Sequence, residues 1–141
     1  MKLLPVLLCI FLFATSKVFA HQFDGNWMFV KGEYKTTSGD IFHADNKELI
    51  AIKTVKGNKF ALNNMKNGEF LGYLAGRFSI DGDHYSEHIE KGTSNEHQGK
   101  TFTFKGWLET KQENDQTVIY WHHNGIVNNT EETEVWQKIM P

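Results

Sequence analysis

Nine short runs of residues that favour β-strands follow one another along the chain, and this pattern restricts the fold more than any other feature. Valine, isoleucine, threonine and aromatic residues are frequent within the runs, and Gly, Asn and Asp cluster between them. Many short strands at regular spacing are typical of an all-β barrel or sandwich. The predicted strands cover residues 27–35, 41–44, 48–55, 59–63, 69–80, 84–91, 100–110, 117–123 and 133–139.

A closed barrel of eight to nine strands is the fold that these runs favour. Closure removes the exposed sheet edges, and the interior of a barrel with about eight strands is either filled by side chains or holds one small ligand. A two-sheet sandwich is the alternative. No linker and no shift in composition divides residues 21–141, so we expect one domain there.

Residues 1–20 have the features of a secretory signal peptide. Lys2 precedes an apolar stretch over residues 3–14, and small residues at Val18 and Ala20 fit a cleavage site after Ala20. The apolar stretch is shorter than the roughly 20 residues that a bilayer span needs, so no transmembrane segment is expected after cleavage. We therefore expect an exported protein, periplasmic or secreted, that is a monomer.

The charges of the expected mature chain argue against nucleic acid as a partner. Cleavage would remove Lys2 and Lys17, which leaves 13 of the 15 basic residues against all 17 acidic ones, without a basic patch. The single cysteine, Cys9, would leave with the same segment, so neither a disulfide nor a cysteine nucleophile is expected.

The dipeptide Asp81-Gly82 stands between two alternating runs and predicts a tight hairpin. With a two-residue loop at these positions, Phe78 would lie opposite Tyr85 and Gly76 opposite Glu87. Paired residues share a face of the sheet. The more apolar face, expected to point inward, then contains Leu74, Gly76, Phe78, Tyr85, Glu87 and Ile89.

Glu87 would be the one carboxylate on that inner face. An unpaired buried carboxylate is costly, so it should have a raised pKa or a partner. It could anchor the polar group of a ligand, or pair with a lysine or tyrosine in a filled core. In the next run Phe102 and Phe104 alternate with polar residues and should also point inward, whereas Trp107 should point outward.

Three stretches of the mature chain resemble a family of small lipocalin-like domains in exported bacterial proteins, many of them without an assigned function. These are Gly25-Asn26-Trp27, which matches the opening motif, the hairpin at residues 76–90, and the closing run at residues 134–139. The resemblance implies that Trp27 packs across the bottom of the barrel against a basic residue near the end of the chain. Lys138 is the residue that matches this position.

The resemblance implies an antiparallel up-and-down barrel of eight to nine strands, whose cup binds a small apolar molecule such as a fatty acid or an isoprenoid. No cofactor is expected and no catalytic residue is predicted. Glu87 would be the polar anchor. The residues expected to line the cavity are Phe78, Tyr85, Glu87, Ile89, Phe102 and Phe104.

Three alternatives remain open at this point. A barrel enzyme of the isomerase or cyclase type could use Glu87 and Tyr85 as acid and base. A filled barrel could instead be an interaction protein that binds through its outer face, with Trp107 as the anchor. Cleavage after Ala20 would also make His21 the N-terminal residue, which could chelate copper together with a second histidine. No metal site is otherwise expected.

Overall fold

The computed structural model describes residues 20–141, so the predicted signal peptide lies outside the described residues except for Ala20. Nine strands occupy most of this part of the chain, and it contains no helix, so no helix of the described residues could cross a membrane. The strands are β1 (Gly25–Lys35), β2 (Ile41–Asp45), β3 (Leu49–Lys56), β4 (Lys59–Lys66), β5 (Glu69–Asp81), β6 (His84–Gly92), β7 (Thr101–Glu113), β8 (Gln116–Val127) and β9 (Thr130–Lys138).

The strands form one closed antiparallel barrel, which confirms the predicted fold class. From β3 to β9 each strand pairs with the next, and β9 pairs with β1 to close the barrel. The first half of β1 pairs with β3, whereas its second half pairs with β2. Eight strands therefore make up the barrel and β2 is an additional strand beside β1. The sandwich alternative is wrong.

The predicted strand limits are close to the observed ones except around the turn between β8 and β9. The prediction left residues 124–132 outside any strand, but β8 continues to Val127 and β9 begins at Thr130. Asn128 and Asn129 form the two-residue turn with φ values of 49° and 66°. Positive φ at both central residues is the requirement of a type I′ turn, and asparagine tolerates it better than most residues.

The hairpin of β5 and β6 is present, but its predicted register is wrong by two residues. Asp81 pairs with His84, so the turn consists of Gly82 and Asp83, and Phe78 lies opposite Glu87 rather than Tyr85. Gly82 has a φ of 62° while Asp83 does not have a positive φ, which fits the type II′ preference for glycine at the first turn residue. Because side chains alternate with a period of two, the shift leaves the predicted inner face unchanged.

Aromatic side chains fill the end of the barrel near the β3–β4, β5–β6 and β7–β8 turns, which we call the packed half. Phe23 precedes β1 and closes this end, with its ring centroid 4.6 Å from that of Trp121. Tyr85 stacks on Phe78 at 5.0 Å. The buried side chains of the packed half are Phe23, Trp27, Val55, Phe60, Phe78, Tyr85 and Trp121.

The opening Gly-x-Trp motif has a direct structural reason. Trp27 is fully buried, donates a hydrogen bond from Nε1 to the carbonyl oxygen of Phe23 at 2.9 Å, and pairs across the sheet with Lys138. The ammonium of Lys138 lies 5.7 Å from the Trp27 ring centre. A Cβ on Gly25 would approach Lys138 Cε to 3.1 Å, so the glycine leaves room for the lysine to lie over the indole.

Candidate functional site

The other half of the barrel contains a cavity of about 190 Å³ that opens to solvent, and we call it the cavity half. It lies toward the β4–β5, β6–β7 and β8–β9 turns, opposite the end that Phe23 closes. Its wall is mainly aliphatic and aromatic, but it also contains Lys53 and three glutamates. The wall consists of Phe29, Tyr34, Leu49, Ala51, Lys53, Leu62, Asn64, Leu74, Glu87, Ile89, His97, Phe102, Phe104, Val127, Glu132, Glu134 and Trp136.

The structure places the six predicted ligand-binding residues in two different regions. Four of them line the cavity: Glu87, Ile89, Phe102 and Phe104. Phe78 and Tyr85 point inward as predicted, but they lie in the packed half, where Tyr85 is 1% exposed. The alternation along β5 and β6 identified the inner face, whereas it contained no information on the height of each side chain along the barrel axis.

Glu87 forms a buried ion pair with Lys53 of β3. Lys53 Nζ lies 2.5 Å from Glu87 Oε1, and both side chains are almost inaccessible to solvent. The Lys53 ammonium also lies 4.9 Å from the ring centre of Trp136 and 5.2 Å from that of Trp121. A charge-assisted hydrogen bond and two aromatic faces thus compensate the lost hydration of the lysine. The pair lies on the cavity wall at the boundary with the packed half.

A second polar cluster joins β8, β9 and β6 beside the cavity. His123 Nε2 lies 3.1 Å from Glu132 Oε1 and 3.2 Å from Glu134 Oε1, and its Nδ1 lies 2.6 Å from the Tyr85 hydroxyl. Glu132 and Glu134 are two residues apart on β9 and share a face, and Glu134 is the cross-strand partner of His123. The three side chains therefore converge because of strand register, not because of a flexible loop.

Burial and mutual charge shift the pKa values within this cluster in opposite directions. Burial raises the pKa of Glu132 to about 7, and the negative charge of Glu134 adds to the rise against the hydrogen bond from His123. Burial also tends to raise the pKa of Glu134, but the positive charges of His123 and Lys53 outweigh it and hold that pKa below its ordinary value. For His123, burial lowers the pKa, yet the adjacent carboxylates outweigh this effect and raise it.

Tyr34 completes the acidic side of the cavity wall. Burial, together with the charges of Glu134 and Glu132, raises the pKa of its hydroxyl well above the ordinary range. The hydroxyl therefore stays protonated and can donate a hydrogen bond toward the cavity. Lys53 is the only lysine among the buried residues of the described chain.

Sequence reasoning identified one polar residue of this wall and missed Lys53, His123, Glu132 and Glu134. Glu132, Glu134 and Trp136 recur every second residue in β9, which is the signal of one shared face. The predicted strand began only at residue 133, so the alternation could not be read. In β3 and β8 both faces contain apolar residues, and their inner faces could not be assigned from the sequence.

The alternative roles for Tyr85, Glu87 and His21 can be compared with their observed contacts. Glu87 contacts Lys53 and Tyr85 contacts His123, so the two residues have different hydrogen-bond partners. His21 stacks on Phe78 at 5.4 Å, and its ring nitrogens contact the carbonyl of Gly57 at 2.7 Å and the backbone amide of Phe23 at 3.2 Å. Both nitrogens that could bind copper are therefore occupied by backbone groups.

The outer surface offers a larger groove but a less specific one. A groove of about 710 Å³ lies beside β1, β2 and β9, and exposed charged residues of both signs line it, among them Lys31, Glu33 and Lys47. Trp107 points outward as predicted and is 44% exposed, with its ring stacked on that of His122 at 5.3 Å. The cavity inside the barrel combines apolar walls with converging polar groups, which is the usual character of a ligand site.

Comparisons with known proteins identify one solved structure of similar shape and no family. No family model and no curated protein matches the chain. The structure is that of an uncharacterized protein from Bacteroides eggerthii, determined by crystallography at 2.60 Å resolution. It aligns with a TM-score of 0.46 at 15% sequence identity, over 82% of this chain and 98% of that chain.

Proposed function

We propose that this protein binds a small, mainly apolar molecule with one polar group in the cavity half of the barrel, and that it acts as an exported carrier or sensor. The observation that carries the proposal is the cavity inside the barrel, whose apolar wall is interrupted at two places by buried charged residues. Export itself rests on the predicted signal peptide at residues 1–20.

The volume of the cavity limits the size of the ligand. Pockets for drug-sized ligands begin at roughly 300 Å³, and the cavity of about 190 Å³ is smaller. A short or branched molecule can be enclosed, whereas the tail of a long fatty acid or isoprenoid would extend through the open end. The apolar body of the ligand would contact the apolar side chains of the wall, among them Leu62, Leu74, Ile89 and Phe102.

The polar wall favours a ligand whose head group donates hydrogen bonds. The ammonium of Lys53 is already bonded to Glu87, whereas the carboxylates of Glu132 and Glu134 face the cavity. A hydroxyl or amine can donate to these oxygens, whereas the carboxylate of a fatty acid would lie beside like charges. An alcohol is therefore the preferred class over an acid of the same chain length.

Calorimetric titration with 1-octanol and octanoate tests both the cavity and the head-group preference. We expect 1-octanol to bind and octanoate to bind at least tenfold more weakly. The Ala51→Leu variant adds volume at a buried position of the cavity wall and should abolish octanol binding. Its matched control is Ala61→Leu, because Ala61 lies on the outer face of β4 and lines a surface groove instead.

Equal heats for the wild type and the Ala51→Leu variant would show that octanol binds elsewhere and would reject the cavity as the site. Native mass spectrometry of protein purified from the cells that produce it gives an independent result. A mass adduct that organic extraction removes, present in Ala61→Leu and absent in Ala51→Leu, is the expected outcome. A bare mass together with no octanol binding would instead favour a role for the outer face around Trp107.

A further inference from the structure

We propose that His123, Glu132 and Glu134 form a binding site for a divalent transition-metal ion, with Zn²⁺ as the best-fitting ion. The site shares Glu132 and Glu134 with the head-group contacts proposed above, but binding of the metal ion does not require an organic ligand. Among residues 20–141, these three side chains are the one group of histidine, cysteine, aspartate or glutamate residues whose ligand atoms converge closely enough for a metal, with all three donor atoms within 4.8 Å of one another.

The distances between the donor atoms fit a zinc coordination sphere. Glu132 Oε1 and Glu134 Oε1 lie 3.1 Å and 3.2 Å from His123 Nε2. With bonds of about 2.0 to 2.1 Å at tetrahedral angles, neighbouring donors around Zn²⁺ are separated by about 3.3 Å. The three atoms are now joined by hydrogen bonds. Small side-chain movements would therefore admit the ion between them.

The charges inside the barrel also favour a bound cation. Three carboxylates line the cavity, those of Glu87, Glu132 and Glu134, and they share it with one lysine ammonium, that of Lys53. Glu132 and Glu134 have side-chain exposures of only 14% and 12%. Two neighbouring carboxylates at this depth need a compensating positive charge, and a divalent ion would balance the formal charge of the interior with a neutral His123.

Tyr85 holds the histidine in the orientation that a metal site requires. Its hydroxyl lies 2.6 Å from His123 Nδ1, which leaves Nε2 directed at the two carboxylates. Metal-bound histidines almost always donate their other ring N–H to a neighbouring oxygen, which fixes the tautomer and the ring plane. Tyr85 is a positioning residue in this arrangement, and it belongs to the rigid packed half, with Phe78 stacked on its ring.

The donor set selects the class of metal ion. One imidazole and two carboxylates suit a borderline ion such as Zn²⁺, whereas sites for Ca²⁺ and Mg²⁺ consist of oxygen ligands alone. Three protein ligands leave a coordination position open, as in catalytic zinc sites and unlike closed structural ones. Because the two carboxylates line the cavity, this open position would face it.

Titration of chelator-treated protein with Zn²⁺ tests the site, with the thermal midpoint and calorimetry as the two readouts. We expect saturable binding of one Zn²⁺ and a rise in the thermal midpoint, with much weaker responses to Ca²⁺ and Mg²⁺. The Glu132→Gln/Glu134→Gln double variant keeps the shape of both side chains and should lose more than about 100-fold in Zn²⁺ affinity. Tyr85→Phe should lose about 10- to 100-fold, the usual range for a group that orients a ligand.

Matched controls separate this site from surface histidines. Glu131→Gln changes an exposed glutamate on the same strand, and His122→Gln removes the neighbouring histidine, which stacks on Trp107 on the outer face. Both variants should bind Zn²⁺ like the wild type. In long-range ¹H–¹⁵N NMR spectra, the imidazole signals that shift on Zn²⁺ binding should remain in His122→Gln and be absent in His123→Gln.

No saturable Zn²⁺ binding by the wild type, or unchanged binding by the double glutamine variant, would overturn the proposal. If His123→Gln does not fold, as judged by the loss of a cooperative unfolding transition, the double variant and Tyr85→Phe still decide the question. Octanol titrations are made with the chelator-treated protein. A failure of metal binding and a failure of ligand binding are therefore seen in separate measurements.

Discussion

The packed half and the cavity half belong to the same eight strands but differ in what their inner faces contain. In the packed half, aromatic rings meet at centroid distances of 4.6 to 5.2 Å around Trp121, and Phe23 closes the end. In the cavity half, ring contacts such as Phe29–Trp136 at 5.5 Å occur together with buried ion pairs, and about 190 Å³ remains unfilled. One strand can thus supply core at one end and a site at the other.

The two halves of the barrel contribute differently to the stability of the fold. Aromatic burial and dispersion supply the stability of a domain without a disulfide, because close-packed rings contribute several kcal/mol each. Buried charges contribute little net stability, and they are tolerated only where neighbouring groups compensate them. Lys53 with Glu87, and His123 with Glu132 and Glu134, are two such compensated groups.

The largest expected effect is the loss of an aromatic side chain from the packed half. Trp121→Ala should lower the free energy of unfolding by about 4 kcal/mol, because the indole is fully buried and the surrounding rings cannot collapse onto the space. Phe102→Ala on the cavity wall should cost only about 1 to 2 kcal/mol, since its ring is partly exposed and already borders empty volume.

Urea denaturation of both variants checks this difference. Equal losses of stability would mean that the cavity half is packed as densely in solution as the other half, and the distinction between the halves would fail. A surface substitution at Trp107, for example Trp107→Ser, serves as the control. It should change the free energy of unfolding by no more than about 0.5 kcal/mol, because that side chain lies on the outer face.

The sequence predicted the fold of both halves equally well, because strand alternation and turn residues are local signals. Gly82 marks a turn through its tolerance of positive φ, and alternation in β5 and β6 identified the inner face despite the wrong register. The sandwich alternative remained open because closure depends on the pairing of β1 with β9, which are separated by most of the chain.

The second-largest loss of stability is expected when the Lys53–Glu87 ion pair at the boundary of the two halves is broken. Lys53→Met should lower the free energy of unfolding by about 3 kcal/mol, at the low end of the range for breaking a buried pair. Methionine can replace the packing of the lysine stem, but Glu87 would be left without its partner. The double variant Lys53→Met/Glu87→Leu removes both charges and should recover most of this loss.

A double-mutant cycle by urea denaturation, with Glu87→Leu as the second single variant, measures the coupling between the two residues. We expect a coupling energy of about 1 to 3 kcal/mol. A double variant whose loss equals the sum of the two single losses would show that the 2.5 Å contact contributes nothing specific. In that case the boundary between the halves would depend on apolar packing alone.

The candidate site was less predictable than the fold because it consists of long-range pairs. Glu87 was found because it is the one carboxylate on an otherwise apolar face, whereas its partner Lys53 lies 34 residues away on β3. His123 and Glu134 meet only because β8 and β9 pair in one particular register. The depth of Phe78 and Tyr85 along the barrel axis likewise depends on the shear of the whole barrel, which no local pattern encodes.

The smallest expected effects come from adding methyl groups at matched positions in the two halves. Ala51→Val adds two methyl groups to a wall that borders unfilled volume, so the free energy of unfolding should rise or stay within about 1 kcal/mol of the wild type. Gly106→Ala adds one methyl group in the packed half, where the new Cβ would lie 2.8 Å from the Tyr85 ring. That substitution should cost about 1 to 3 kcal/mol.

Thermal and urea denaturation of the pair would measure how strictly each half is packed. A loss for Ala51→Val as large as that for Gly106→Ala would mean that the cavity closes in solution, and 1-octanol binding should then be absent as well. A clear loss for Gly106→Ala together with little or no loss for Ala51→Val would show that the barrel tolerates additional volume only where the ligand is proposed to bind. The cavity half would then contain space that an added side-chain group or a ligand can occupy without loss of stability.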